Sequence, residues 1–226
     1  PASSSAIDLV FVVDSSGLTT DSTRYDIHWP KVKEFMKQFT RQFTISQSET
    51  RVGFTAFNDE SIDIHDPPGE GPDWVDFAYL TAFANAYEFE KAIDNFFGLP
   101  KTNLAAGLRT ARKTILHGCN GDRWDVTNLV IVLTVRGINV DQQYVNLFEE
   151  ATKLREEAIV ATLTVTKNNV DKYVLEHIAT NKNLVMTVPS FSALIGMEES
   201  LLAKINEALL TQELVVTPSS SPPPSN

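Results

Sequence analysis

A chain of 226 residues, 42% of them hydrophobic, is long enough to bury one substantial core and suits one domain with tails better than two. Its 29 acidic against 19 basic residues give a formal charge of -10, and with no local basic patch this argues against nucleic-acid partners and anionic lipid surfaces. No apolar run reaches the roughly 18 residues of a membrane-spanning helix, so no membrane insertion is expected.

In chain order, Ala6 to Val13 (AIDLVFVV) is an almost unbroken apolar, β-branched run that stops at Asp14-Ser15-Ser16-Gly17. It reads as a strand buried on both faces and ending in a loop. From Ile27 to Phe43, Trp29, Val32, Phe35, Met36, Phe39 and Phe43 recur at three- and four-residue steps between lysines, the pattern of an amphipathic helix. Arg51 to Phe57 alternates as a strand, and Ser61 to His65 (SIDIH) is expected to pair with it as a hairpin at the sheet edge. Helices are expected over Glu88 to Phe97 and Leu104 to Leu116, the latter stopped by Gly118.

Asn128 to Thr134 (NLVIVLT) is a second strand of the buried kind. Then follow a helix from Asp141 to Glu157, a strand from Ile159 to Val165, a helix from Val170 to Thr180, a short strand from Leu184 to Val188 and a helix from Glu198 to Leu210. Strands alternating with helices predict an α/β, doubly wound fold: a central, mostly parallel sheet with one antiparallel edge strand and helices on both faces. Ligands in such sheets sit beyond the carboxyl ends of the strands, which directs attention to the loops after Val13, Phe57 and Thr134 and before Leu104. Residues 1–5 are expected to be a flexible N-terminal segment, 6–212 the domain, and 213–226 a Ser/Pro-rich linker or disordered tail, since TPSSSPPPSN cannot build a core. The chain starts at Pro1 without a signal-like segment, as expected of a mature or excised fragment.

The loop Asp14-Ser15-Ser16-Gly17-Leu18 after its apolar strand resembles the D-x-S-x-S motif that opens the metal-ion-dependent adhesion site of von Willebrand factor A (VWA) domains and integrin inserted domains. Further pieces are similar in family order: Pro100 to Leu108 to the threonine segment, LVIVLTVRG at 129–137 to the strand that normally ends T-D-G, and Ser190 to Leu194 to the segment before the last helix. The resemblance spans about residues 6 to 212. It implies an extracellular, secreted, non-enzymatic adhesion module of a matrix or scaffold protein. Collagen or another matrix protein is the leading partner class, met at the face formed by the Asp14, Thr102 and Val135 loops.

Carried over by position, Asp14, Ser16 and Thr102 match the family's first carboxylate, first serine and threonine. Leu18 stands where the second serine belongs and Val135 where the second aspartate belongs, with Arg136 in place of the glycine that follows. A hard divalent ion wants oxygen ligands in near-octahedral array, and neither Leu18 nor Val135 has one. Hence either no cofactor or a weakly bound Mg²⁺, Mn²⁺ or Ca²⁺ is expected. The alternative is metal-dependent adhesion at a rescued site, with Thr19, Thr20, Asp21 or Asp141 supplying the missing oxygen. In a third arrangement Arg136 takes over the ion's role as counter-charge to Asp14, since an unpaired buried carboxylate is costly and a guanidinium donates in bidentate fashion; against it stands a solvent-facing Arg136, the ordinary place of an arginine.

Other features point elsewhere more weakly. The acidic stretch Asp59 to Asp76 lacks EF-hand spacing and reads as a solvated loop. His28, His65, His117 and His177 have no zinc spacing. Gly98 to Thr102 (GLPKT) lacks the Walker spacing, and no G-x-S-x-G elbow occurs, which leaves an α/β enzyme or cofactor-binding protein as the outside alternative. Phe35, Phe39, Phe43, Phe54, Phe57, Phe96, Phe97 and Phe191 fall on core-facing periods. Trp74, Phe77, Tyr79, Phe83 and Tyr87 are expected to cover a sheet edge or to form an aromatic recognition patch. The single cysteine, Cys119, allows no intrachain disulfide and is expected as a buried or half-buried thiol, or as a contact between chains.

Overall fold

In the computed structural model the described residues are 6–14, 28–57, 77–95, 104–134, 144–165 and 172–216, with the backbone alone for 57, 144–145 and 211–216. Six strands form one sheet in the order β3-β2-β1-β4-β5-β6. They are β1 (Ile7–Asp14), β2 (Arg51–Phe57), β3 (Phe77–Ala78), β4 (Thr127–Thr134), β5 (Ile159–Val165) and β6 (Val185–Val188). The helices are α1 (Trp29–Thr40), α2 (Ala86–Asn95), α3 (Leu104–Thr110), α4 (Tyr144–Glu157), α5 (Lys172–Ile178) and α6 (Glu198–Val216). All strand pairs are parallel except β2 with β3, so the α/β architecture with an antiparallel edge is as expected.

The apolar runs are continuous because both sheet faces are covered, and alternate residues serve two separate cores. Leu9, Phe11 and Val13 join Ile131, Leu133 and Leu163 on one face, beneath Phe35, Phe39, Phe89 and Ile205 of α1, α2 and α6. Val10 and Val12 join Val130, Val132 and Val160 on the other, beneath Leu104, Leu108, Leu154 and Val174 of α3, α4 and α5. Phe11, Phe54, Phe83 and Phe89 interlock at ring-centroid distances of 5.5 to 6.4 Å. Of the expected core phenylalanines, Phe35, Phe39 and Phe54 are buried and Phe43 and Phe191 pack partly buried against that core. The side chains of Phe57, Phe96 and Phe97 lie outside the described residues.

Several expectations need correction. The observed antiparallel partner of β2 is Phe77–Ala78, in register Phe54↔Ala78 and Thr55↔Phe77, while Ser61 to His65 falls outside the described residues. The helix expected over 104–116 is α-helical only to Thr110 and then widens into a π-helical turn over Ala111–Ile115. That turn presses onto β2 where there is no side chain: a Cβ on Gly53 would stand 2.7 Å from Ile115 Cγ2 and 2.8 Å from the Ala78 carbonyl oxygen. The last helix runs six residues further than expected, to Val216. Cys119, in a 3-10 turn over Gly118–Asn120, is exposed rather than half-buried.

The aromatic stretch divides. Phe77 sits in the edge strand and meets Tyr79 at 5.2 Å, Phe83 enters the core, and Tyr87 is 74% exposed. Trp74 is outside the described residues.

Candidate functional site

The strand order reverses direction between β1 and β4: from β1 the chain moves outward to β2 and β3, from β4 to β5 and β6. A crevice at the carboxyl ends of β1 and β4 is therefore where the architecture places a ligand. Asp14 ends β1 and Thr134 ends β4, and the pairing Val13↔Leu133 sets the two side by side. They face the α3 side, the face of Val12 and Val132. Asp14 is 4% exposed and Thr134 2%. Asp14, the residue the sequence motif singles out, thus lies buried at the end of β1 beside this reversal.

Thr134 stands opposite Thr164 in β5. Both hydroxyls, with that of Thr162 one pleat below, are buried and have no hydrogen-bond partner among the described residues, so the strand-end row on this face is polar. Asp14 itself has an interaction partner. Leu104, which opens α3 two residues after Thr102, is buried in the cluster of Val12 and Val132, so α3 starts against the same sheet face.

Ser16, Leu18, Thr102, Val135 and Arg136 lie outside the described residues, as do Thr19, Thr20, Asp21 and Asp141. Asp14 is thus the sequence-identified site residue that the structure places. Among the described residues, the side-chain oxygen beside Asp14 on β4 is the buried hydroxyl of Thr134. Among the described residues no group of three or more His, Cys, Asp or Glu side chains is assembled.

Two ionic clusters were not foreseen. At the opposite, strand-start edge Asp8 is completely buried, and Arg123 clamps it. Nε donates to Oδ1 at 3.0 Å, Nη2 to Oδ1 at 2.6 Å, and the Arg123 backbone N–H to Oδ2 at 2.9 Å. The same guanidinium donates to the carbonyls of Ile7, Ser48 and Glu49 at 3.2, 3.1 and 2.7 Å. A carboxylate inside the apolar run AIDLVFVV was the signal, because a charge in a strand buried on both faces requires a partner.

Between α3 and α4, Glu150 accepts from Arg109 Nε at 3.0 Å and from Arg112 Nη2 at 2.8 Å. Burial alone pushes the Glu150 carboxyl up, but the two guanidinium hydrogen bonds and charges outweigh it and hold it below the usual range. The histidines take structural roles. His28 stacks on Phe191 at 4.2 Å, His117 accepts from the Cys119 N–H, and His177 packs on Tyr173 and Phe148; His65 is outside the described residues.

The curated human collagen alpha-5(VI) chain is 26% identical over 199 residues, covering 88% of this chain and 7% of that one. Proximal thread matrix protein 1 from the mussel byssus superposes with a TM-score of 0.71 at 24% identity in one crystal form. A second structure of that protein, with a zinc-occupied MIDAS motif, gives 0.72 at 22%. Both alignments cover 89% of this chain and 48% of the mussel chain. The chain thus spans a small part of the collagen chain and about half of the mussel protein, and likeness to the mussel protein at these identities shows the fold alone. The family model for the von Willebrand factor type A domain matches residues 8–200, and the chain belongs to that family.

Proposed function

We propose that this domain is an extracellular matrix adhesion module that binds a partner protein, collagen or another matrix component, without needing a metal ion, and that it is not an enzyme. The observation that carries the reading is the pairing of a retained, buried Asp14 at the strand-order reversal with aliphatic residues, Leu18 and Val135, where the family's further oxygens belong. Kinship with a collagen VI chain supports the matrix setting and the extracellular location. In this reading Ser16 and Thr102 serve as polar recognition groups, and Arg136 supplies the positive charge that an ion supplies elsewhere. Asp14 then stays ionised in place, and the partner meets hydroxyls and a guanidinium in place of an open coordination position.

The domain occupies 6–212 in this proposal, followed by a Ser/Pro-rich linker. The exposed thiol of Cys119 is open to a contact between chains.

Metal-bridged adhesion is the second reading, favoured by the orphaned Thr134 hydroxyl beside Asp14, which a weakly held cation would satisfy. Surface binding to immobilised fibrillar collagens and to a collagen VI preparation, run in Mg²⁺ and again in chelator, separates the two. Equal binding in both buffers is expected. Binding that appears only with the ion transfers the function to the metal-bridged reading, and no binding in either removes collagen as the partner.

A further inference from the structure

The strand-start edge, opposite Asp14, carries a surface that the adhesion-site reading does not use. Trp124, between the Gly121 turn and β4, is 95% exposed. An indole held fully in water forgoes a large burial energy, and tryptophan is enriched among residues that dominate protein interfaces.

Its mount is rigid. Arg123, the preceding residue, is fixed through its guanidinium to Asp8 and to the Ser48 and Glu49 carbonyls. Arg51 Nη1 donates to the Gly121 carbonyl at 2.6 Å, and Asn120 Nδ2 to the Thr114 carbonyl at 2.6 Å. Gly121 adopts φ of 103° with its α-carbon packed against Thr81, where a Cβ would stand 2.6 Å from Thr81 Cγ2. A loop fixed this way gives up little further backbone entropy when a partner lands on it.

The side chains flanking it that are not engaged in ion pairs are acidic. Asp122 and Asp125 bracket the Arg123-Trp124 pair, with one Asp122 carboxylate oxygen buried, and Glu49 lies across the bond from Arg123 to its carbonyl. These three carboxylates have no ion pair among the described residues. The neighbouring guanidinium of Arg123 is committed to Asp8, and that of Arg51 to main-chain carbonyls. An exposed indole flanked along the chain by unpaired carboxylates is complementary to an ammonium or guanidinium group. The same acidity, on a chain of net charge -10, opposes a second copy as the occupant.

We propose that Trp124, with Asp125, Asp122 and Glu49, forms a second binding surface for a lysine- or arginine-bearing segment of a partner protein. It stands whether or not the Asp14 edge binds collagen.

The test uses the full chain, ¹⁵N-labelled, with the three tryptophan indole signals assigned through Trp124→Phe, and hexalysine as the probe against hexaglutamate at about 0.15 M salt. Hexalysine is expected to move the Trp124 indole signal first. Trp124→Ala should weaken its binding about ten-fold, the scale of a partly desolvated cation–π contact, and Asp125→Asn about three-fold. Both side chains are exposed, so melting should be unchanged in either variant. Equal affinity for Trp124→Ala, a Trp124 signal that stays still while others move, or no hexalysine binding at millimolar levels would each overturn the proposal.

Discussion

Replacing Arg123 by alanine isolates the contribution of the buried ion pair. The substitution leaves Asp8, with no exposed surface, holding one hydrogen bond, from the retained backbone N–H of residue 123. It also removes the side-chain donor to three carbonyls. Breaking a buried pair from one side costs about 3–5 kcal/mol, and total desolvation of the surviving carboxylate places Arg123→Ala at about 4–5. Asp8→Ala should cost less, about 3 kcal/mol, because Arg123 is 15% exposed and keeps its carbonyl acceptors. For a domain of this size each kcal/mol is about 2–4 °C, so Arg123→Ala should melt about 8–20 °C lower. Urea unfolding should show the midpoint falling with an unchanged slope, and the double variant should lose far less than the sum of the singles. A loss below about 1 kcal/mol for Arg123→Ala, or full additivity in the double variant, would refute the view that the two groups form one desolvated unit.

Gly53→Ala should destabilise by about 3 kcal/mol or more, because the new Cβ meets main-chain oxygen as well as Ile115, and main chain cannot step aside; denaturant titration reads it. Because the Glu150 carboxyl titrates below its ordinary value of 4.5 when folded, its contribution is complete above that pH and is lost as pH falls from about 4.5 through the folded value. Glu90, lowered by the hydrogen bond from Arg41, acts in the same direction. Melting temperature against pH should therefore decline below about 4.5, and Glu150→Gln should flatten that limb while lowering stability at neutral pH.

Much of the fold was readable because strands buried on both faces write themselves as unbroken apolar runs. Ile159–Val165 appears with the ends expected, and Thr127–Thr134 begins one residue early. Helix ends were less readable. α2 starts two residues before the expected Glu88 because Asn85 caps it, accepting from the Glu88 N–H at 3.1 Å while the Glu88 carboxylate accepts from the Ala84 N–H at 2.8 Å. The π turn at Ala111–Ile115 has no signature in helical periodicity, since the same apolar spacing serves either winding. The two-residue edge strand is too short to show alternation.

At the site, the place of Asp14 at a buried strand end was legible from the apolar run before it. The unsatisfied Thr134 and Thr164 hydroxyls were not, because threonine in a strand is ordinary until its neighbours are known. Asp8 and Arg123 are 115 positions apart, and Trp124 differs from a core tryptophan only in what fails to cover it.

The claim most open to test is that the adhesion site has lost its ion. Isothermal titration of Mg²⁺, Mn²⁺, Ca²⁺ and Zn²⁺ into the metal-stripped domain, beside a folded Asp14→Ala variant, measures it directly. The account predicts no heat that distinguishes the two proteins. Binding at micromolar to low millimolar levels that disappears with Asp14→Ala would contradict it and make metal-bridged adhesion the function.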